Sequence, residues 1–149
     1  MFNRILTVCV GNVCRSPMAE ALLRSRLASH SARVTVESAG LAALVGQGAD
    51  PMAIELLAER GIDLSAHRAR QVNSFLVRSC ELILVMEEGH QRAVESMVPD
   101  ARGRVHRIGR WGNFDVSDPY RKGRAFFEQA LALIERGISD FERKFWSRA

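Results

Sequence analysis

A cysteine and an arginine near the start of the chain are spaced so that both could act on one phosphate group. Cys9 and Arg15 are separated by five residues, in the pattern Cys-x5-Arg. A loop of this length around Gly11 can curl until its amides converge on one anion, beside a guanidinium fork and a sulfur nucleophile. Such positive surroundings favour the thiolate form of Cys9. Attack of the thiolate on phosphorus would give a phosphocysteine that water then hydrolyses.

The segments on either side of this loop suit the task of holding it. Residues 5–8 are apolar and partly β-branched, which predicts a buried strand. A helix is predicted from Ser16 to about residue 30, with Ser16 as its cap and Pro17 at its first position. The loop would therefore join the end of a strand to the start of a helix, where the helix dipole and free amides favour an anion.

The rest of the chain alternates between predicted strands and helices. Further strands are predicted at 33–38, 81–86 and 105–108, and further helices from Asp50 to about Gly61, at 74–78 and at 87–97. The last helix carries a stripe of apolar residues at helical spacing, namely Phe127, Leu131, Ile134, Ile138, Phe141 and Phe145. This order predicts one α/β domain over 1–149, a four-stranded parallel sheet with helices on both faces.

Composition limits the other functional classes. The chain has 149 residues, is 47% hydrophobic and carries a net charge of +4, with its basic residues spread out rather than in a block. We therefore expect no nucleic-acid binding. No apolar run approaches the roughly 20 residues of a membrane span, and the N-terminus does not resemble a signal peptide, so we expect a cytoplasmic protein without membrane insertion. Three cysteines at these spacings predict neither a disulfide framework nor a zinc site.

The loop and its flanks resemble a known signature. Residues 9–20, Cys-Val-Gly-Asn-Val-Cys-Arg-Ser-Pro-Met-Ala-Glu, are similar to the signature of the low-molecular-weight protein tyrosine phosphatases. Further similar segments follow in order at 38–40, 67–71, 84–86 and 118–120. The resemblance covers nearly the whole chain. It implies a four-stranded parallel sheet, catalysis without a metal or cofactor, and a phosphotyrosine protein as substrate.

The resemblance also implies a role for each residue of the site. Cys9 would be the nucleophile, Arg15 the phosphate clamp and Asp118 the general acid and base, with Asp115 as a nearby competitor for that last role. Ser16 would hydrogen-bond the thiolate and ease its departure. The remaining phosphate-binding positions of the loop would be Val10, Gly11, Asn12, Val13 and Cys14.

Residues outside the loop would support it and form the substrate slot. Asn12 suits a left-handed conformation, and the resemblance implies a polar network that joins it to Ser38 and His67. Cys14 would either form a reversible disulfide with Cys9 or simply pack.

The substrate slot has one clear wall and one that the sequence leaves open. Tyr120 would form one wall of the slot, and Leu44 or Leu41 would take the place of the aromatic residue that many family members carry opposite. The aliphatic loop resembles that of the bacterial branch serving exopolysaccharide and capsule systems. In that branch the partner is a membrane-anchored tyrosine autokinase.

Three alternatives remain open at this point. An arsenate reductase on the same scaffold needs two further cysteines for a disulfide relay, and only Cys80 lies beyond the loop. A protein-arginine phosphatase would carry threonine in place of Val13. A phosphopeptide-binding module without catalysis would not need Cys9, Arg15 and Asp118 together.

Overall fold

The described part of the chain contains four strands and five α-helices, mostly in alternation. The computed structural model describes residues 2–30 and 33–146. In chain order these elements are β1 (Arg4–Cys9), α1 (Arg15–Ala28), β2 (Thr35–Gly40), α2 (Pro51–Ala58), α3 (Ser74–Arg78), β3 (Leu82–Val85), α4 (Glu88–Met97), β4 (Val105–Arg107) and α5 (Arg124–Phe145). Short 3₁₀ turns at Pro99–Ala101 and Arg110–Gly112 flank β4.

The strands form one parallel sheet in the order β2-β1-β3-β4. Its two central strands, β1 and β3, are paired from Ile5 beside Leu82 onward, and Cys9 at the end of β1 lies beside Gly40 at the end of β2. In a parallel sheet the carboxyl ends of all strands meet at one edge, where ligands bind in open α/β folds. The loop that follows Cys9 lies at this edge.

Side chains alternate between two apolar cores, one on each face of the sheet. Ile5 and Leu84 belong to the core covered by α1, α2 and α5, whereas their neighbours Leu6 and Ile83 belong to the core covered by α3 and α4. The two-residue period of a strand causes this division. The predicted fold, a four-stranded parallel sheet with helices on both faces and a loop after the first strand, is confirmed.

The start of α1 differs from the prediction. The helix begins at Arg15, Cys14 is its N-cap residue, and no side chain caps it, so Ser16 and Pro17 occupy its second and third positions. The prediction that Ser16 is the cap is wrong because its hydroxyl contacts Cys9 and Asn12 instead.

Other boundaries shift by one to three residues. Strand β2 begins at Thr35 rather than at position 33, and α2 ends at Ala58, three residues before Gly61. No helix in the described part of the chain combines the length and apolar character of a membrane span.

Candidate active site

The loop between β1 and α1 is shaped by one left-handed residue and one close backbone approach. Asn12 has φ 59°, a conformation that asparagine tolerates better than most residues. Gly40 at the end of β2 faces the loop so closely that a Cβ there would lie 2.4 Å from the Val10 carbonyl oxygen. Only glycine permits this contact between the strand and the loop.

The backbone carbonyl oxygens of the loop all accept hydrogen bonds from groups of the protein. Each carbonyl oxygen of residues 9–14 accepts a hydrogen bond of 2.7 to 3.2 Å. The donors, in order, are the amides of Leu41, Ala42 and Leu44, the Nε2 of His67, and the amides of Asp50 and Met18. In contrast, no described residue accepts a hydrogen bond from the amides of residues 11–14. The loop therefore offers donors, and no acceptors, to an anion.

Arg15 is a fully buried cation whose side chain is held from one end. Its Nη1 donates to the Glu87 carboxylate and, at 2.8 Å, to the Val116 carbonyl oxygen. Its Nη2 lies 3.9 Å from Asp118 Oδ2, and its buried Nε has no partner among the described residues. A buried donor without a partner is costly, so the free Nε and Nη2 edge fits a bidentate oxyanion.

A chain of polar side chains leads from the nucleophile to the surface. Cys9 Sγ lies 2.9 Å from Ser16 Oγ. Asn12 Nδ2 donates to Ser16 Oγ at 2.8 Å and to Ser38 Oγ at 3.0 Å, and Ser38 in turn donates to Glu20 at 2.5 Å. Because Ser16 accepts from Asn12, its own proton is free to stabilise a thiolate at Cys9.

One side chain and one backbone amide fix the left-handed residue from outside the loop. His67 Nε2 donates to the Asn12 carbonyl oxygen at 2.7 Å, and the Arg70 amide donates to Asn12 Oδ1 at 2.9 Å. Asn12, Ser38 and His67, which the resemblance groups together, therefore meet in the structure. Asn12 and Ser16 are both buried, and neither lines the cavity in front of the loop.

The two loop cysteines differ in their electrostatic surroundings. Both Cys9 and Cys14 are buried and carry free thiols. Burial, together with the nearby carboxylate of Asp50, raises the pKa of the Cys14 thiol far above its usual value. Cys14 is therefore a protonated thiol at neutral pH, and this favours Cys9 as the nucleophile.

A cavity of about 170 Å³ opens in front of the loop. It is lined by Cys9, Val10, Gly11, Val13, Cys14, Arg15, Ala42, Leu44, Asp118 and Tyr120. Leu44, rather than Leu41, forms the wall on the side of the β2 loop, because Leu41 packs against the core on the other face of the sheet. Tyr120 lines the cavity as well, so the walls of the cavity include an aliphatic and an aromatic side chain from outside the loop.

The two candidate acids lie in different places. Asp118 lines the cavity, and its Oδ1 accepts a hydrogen bond from the Tyr120 amide at 3.0 Å. Asp115 does not line the cavity, since its Oδ1 accepts from Arg107 Nη1 at 3.0 Å and from the Glu88 amide at 3.2 Å. Only Asp118 is therefore positioned to reach a group bound in the cavity.

Comparison with known proteins agrees with this geometry. A family model described as low molecular weight phosphotyrosine protein phosphatase matches residues 4–146.

The chain belongs to this family.

It is 49% identical over 138 residues to the probable low molecular weight protein-tyrosine-phosphatase EpsP of Ralstonia solanacearum, covering 93% of this chain and 92% of the relative. It is also 49% identical over 137 residues to the low molecular weight protein-tyrosine-phosphatase Wzb of Escherichia coli K12, covering 91% of this chain and 90% of the relative.

A solved relative has the same fold. The structure of Vibrio vulnificus Wzb in complex with benzylphosphonate matches with a TM-score of 0.91 and 41% identity, covering 97% of this chain and 100% of that one. The chain is accordingly a protein-tyrosine phosphatase, a hydrolase that acts on phosphotyrosine proteins. The arsenate reductase, arginine phosphatase and binding-module alternatives are not favoured by these matches.

Sequence reasoning missed the group that holds the arginine of this phosphatase. Glu87 forms an ion pair with Arg15 and also serves as the N-cap of α4, where its side chain accepts from the amide of His90. Burial and the nearby Arg15 lower the pKa of His90, whose Nδ1 accepts from the Glu87 amide at 3.2 Å. The sequence offers one indication of this role, the position of Glu87 directly after a buried strand. The carboxyl ends of parallel strands lie together, so Glu87 must lie near Cys9.

Proposed function

We propose that Cys9, Arg15 and Asp118 hydrolyse phosphotyrosine through a phosphocysteine intermediate. One observation carries the proposal: no described residue accepts a hydrogen bond from the amides of residues 11–14 or from the Nε of buried Arg15, and Arg15 lines the same cavity as Cys9. These donors suit the three terminal oxygens of a phosphate monoester. The ester oxygen then faces away from the sulfur, toward the open side of the cavity.

In the first step the Cys9 thiolate attacks phosphorus and an S–P bond forms. The P–O bond to the tyrosine ring breaks, and Asp118 donates a proton to the departing phenolate oxygen. Arg15 Nε and Nη2, with the loop amides, stabilise the negative charge that spreads over the equatorial oxygens. Glu87 and the Val116 carbonyl hold the opposite end of the guanidinium, so that it keeps its orientation during the step.

In the second step water releases the phosphate. The Asp118 carboxylate, formed in the first step, takes a proton from water as the water oxygen attacks phosphorus. The S–P bond breaks, inorganic phosphate leaves, and the electron pair returns to Cys9 as thiolate. The Ser16 hydroxyl, 2.9 Å from the sulfur, donates to that thiolate and makes it a better leaving group.

The walls of the cavity favour a flat aromatic ring on the phosphate. Leu44 and Tyr120 both line the cavity, and the Val13 side chain contributes a further apolar surface. Because Val13 carries no hydroxyl, it offers no hydrogen bond to the guanidinium of a phosphoarginine. This supports phosphotyrosine over phosphoarginine as the substrate group.

The physiological substrate in this proposal is a membrane-anchored tyrosine autokinase of an exopolysaccharide or capsule system, dephosphorylated on its cytoplasmic side. The support is the resemblance of the aliphatic 41–46 loop to that bacterial branch, together with the 49% identity to EpsP and Wzb. Isolation of phosphotyrosine proteins bound by the Asp118→Ala variant from the source cells tests this choice. Recovery of proteins other than such a kinase would contradict it.

The catalytic assignment is tested with p-nitrophenyl phosphate. We expect wild-type protein to hydrolyse it and Cys9→Ser to be inactive, because the hydroxyl at this position is a far weaker nucleophile than a thiolate. Cys80→Ala is the matched control, since Cys80 is buried just before β3, at the opposite edge of the sheet. An inert wild-type enzyme, or a Cys9→Ser variant as active as wild type, would refute the mechanism.

The role of the acid is tested separately with Asp118→Asn. We expect kcat for phenyl phosphate to fall about 10²- to 10⁴-fold, the usual contribution of general acid catalysis, while vanadate still binds. Asp115→Asn is the control, because Asp115 contacts Arg107 outside the cavity. If Asp115→Asn loses kcat and Asp118→Asn does not, the acid is Asp115.

A further inference from the structure

The turn that carries Tyr120 contains an arginine in a strained backbone conformation. The Lys122 amide donates to the Pro119 carbonyl oxygen at 2.9 Å and closes a four-residue turn. Arg121 is the third residue of this turn and has φ 62°. Glycine or asparagine is usual at a turn position with positive φ, and a long side chain there costs stability. A long side chain that is kept at such a position despite this cost is a candidate for a functional role.

The guanidinium of Arg121 is placed at the rim of the active site. Its carbon atom lies 5.2 Å from the centroid of the Tyr120 ring, and that ring lines the cavity over Cys9. Arg121 itself is exposed and does not line the cavity. The strained turn therefore holds the positive charge of Arg121 outside the slot and next to its wall. The peptide residues that flank a phosphotyrosine bound in the slot would lie near this charge.

The charge of Arg121 is not neutralised within the described part of the chain. Several other arginines form ion pairs, for example Arg107 with Asp115 and Arg124 with Glu59. For Arg121 the structure gives only the contact with the Tyr120 ring, and no carboxylate of residues 2–30 or 33–146 lies within 4.0 Å. The next residue, Lys122, is also exposed and places its ammonium 5.9 Å from the Phe126 ring.

From the strain, the position and the unpaired charge together, we infer that Arg121 is a specificity-determining residue that selects phosphotyrosines flanked by a second anionic group in the same peptide. That group is a carboxylate or another phosphate, since a guanidinium fork binds both. The inference rests on the proposed function and adds the substrate class to it. Stacking on the Tyr120 ring restricts the guanidinium to a position beside the slot, so that little entropy is lost when the second anion binds.

The test compares three peptides that share one phosphotyrosine and differ only in its neighbours, which are alanine, glutamate or a second phosphotyrosine. For wild type we expect kcat/KM to be about fivefold higher on at least one anionic peptide than on the alanine peptide, the size of one partly exposed ion pair. Arg121→Gln keeps the length of the side chain and removes its charge, so the ratio should fall to about one. Arg121→Lys keeps the charge and should retain most of the ratio.

The control is Arg102→Ala, which removes an equal charge from an exposed site. Arg102 lies just before β4, near the amino ends of the strands and away from the cavity. This variant should keep the wild-type ratio. Raising the salt concentration to about 0.5 M should compress the wild-type ratio, because the interaction is exposed to solvent.

Several outcomes would overturn the inference. The first is a wild-type ratio near one for both anionic peptides, and the second is an Arg121→Gln variant that keeps the wild-type ratio. The third is an equal loss of kcat/KM on all three peptides in Arg121→Gln, which would mean that Arg121 only holds the Tyr120 ring. Peptide dissociation constants measured by fluorescence anisotropy on the Cys9→Ser protein give the same ratio without turnover. If wild type hydrolyses none of the peptides and the Cys9→Ser protein still binds an anionic peptide more tightly than the alanine peptide, only the proposed function is refuted.

Discussion

At the scale of single residues, the site depends on how each charge is neutralised. Arg15 has a side chain only 2% exposed, and its Nη1 is occupied by Glu87 and the Val116 carbonyl. Its Nε has no partner among the described residues, and its Nη2 lies 3.9 Å from Asp118 Oδ2. Asn12, in contrast, uses both side-chain atoms and its carbonyl oxygen in hydrogen bonds. The loop is thus held rigidly by Asn12, while Arg15 is left ready for an anion.

A variant of Glu87 tests how far that carboxylate stabilises the buried arginine. Removing one partner of a fully buried pair costs about 3–5 kcal/mol, and we expect about 1–2 kcal/mol for Glu87→Gln because the Glu87 side chain is 36% exposed. Glutamine can still accept the hydrogen bond from the His90 amide. The loss should shrink in saturating phosphate, whose charge neutralises Arg15 instead. Urea denaturation with and without phosphate measures both values.

The control for this experiment is Glu88→Gln. Glu88 is the next residue, with a side chain 68% exposed, and its ion pair with Arg92 lies on the helix surface. Its free energy of unfolding should change by less than about 0.5 kcal/mol. Equal stability of Glu87→Gln and wild type in phosphate-free buffer would show that Glu87 does not hold Arg15.

At the scale of elements, close backbone contacts decide how the helices sit on the sheet. Gly137 lies in the middle of α5 and faces the segment after β4, where a Cβ would lie 2.4 Å from the Ile108 carbonyl oxygen. Glycine inside a helix is unfavourable by itself. Its presence in α5 is explained by this contact, which lets the helix approach the end of β4 and cover the core that contains Phe141.

We expect Gly137→Ala to destabilise the protein by about 1–3 kcal/mol, because the new methyl group forces α5 away from the backbone at Ile108. Gly89→Ala is the matched control in another helix, since the nearest atom to a Cβ there is Arg92 Nη2 at 3.9 Å. Alanine should be tolerated in α4 and should stabilise it by up to about 1 kcal/mol. Urea unfolding of both variants measures the difference, and a stabilised Gly137→Ala would contradict the close-packing argument.

At the scale of the whole molecule, partly buried carboxylates connect elements that are far apart in the sequence. Glu37 on β2 pairs with Arg4 on β1 and with Arg70, and Glu142 on α5 pairs with Arg26 and His30 at the end of α1. Burial alone would raise the pKa of Glu37, but the hydrogen bonds from its two arginines outweigh that effect and lower it. For Glu142 the hydrogen bond with His30 is the main cause of a lowered pKa.

These shifts predict a loss of stability in acid. A carboxylate with a lowered pKa in the folded state contributes stability that is complete above its unfolded value, near 4.5, and that is lost as the pH falls through the folded value. We therefore expect Glu37→Gln to be less stable than wild type at pH 7, by about 1 kcal/mol, with the difference shrinking as the pH falls below the unfolded value. Urea unfolding between pH 3 and 7 measures this.

Glu95→Gln provides the comparison for the acid experiment. Glu95 accepts a hydrogen bond from Gln91 on the same helix and does not join two elements. Its stability should follow that of wild type at every pH within about 0.5 kcal/mol. A constant difference between Glu37→Gln and wild type across the whole pH range would argue against the ion pairs as its cause.

The spacing of residues along the chain is enough to predict a phosphate-binding loop and the class of the fold. Cys9, Arg15 and the residues between them are contiguous, so their spacing alone brings them to one point. The alternation of apolar strands and amphipathic helices then predicted the parallel sheet, because buried strands and helices differ in the period of their apolar residues.

Contacts between segments that are distant in the sequence are known only from the folded structure. The choice of Leu44 over Leu41, the position of Asp118 rather than Asp115 at the cavity, and the pairing of Glu87 with Arg15 all follow from the strand order and the path of the loops. The hydroxyl of Ser16 is another such case, since its partners Cys9 and Asn12 compete with a capping role. Local propensity gives no information on these contacts, because each partner is brought to the site by packing across the sheet.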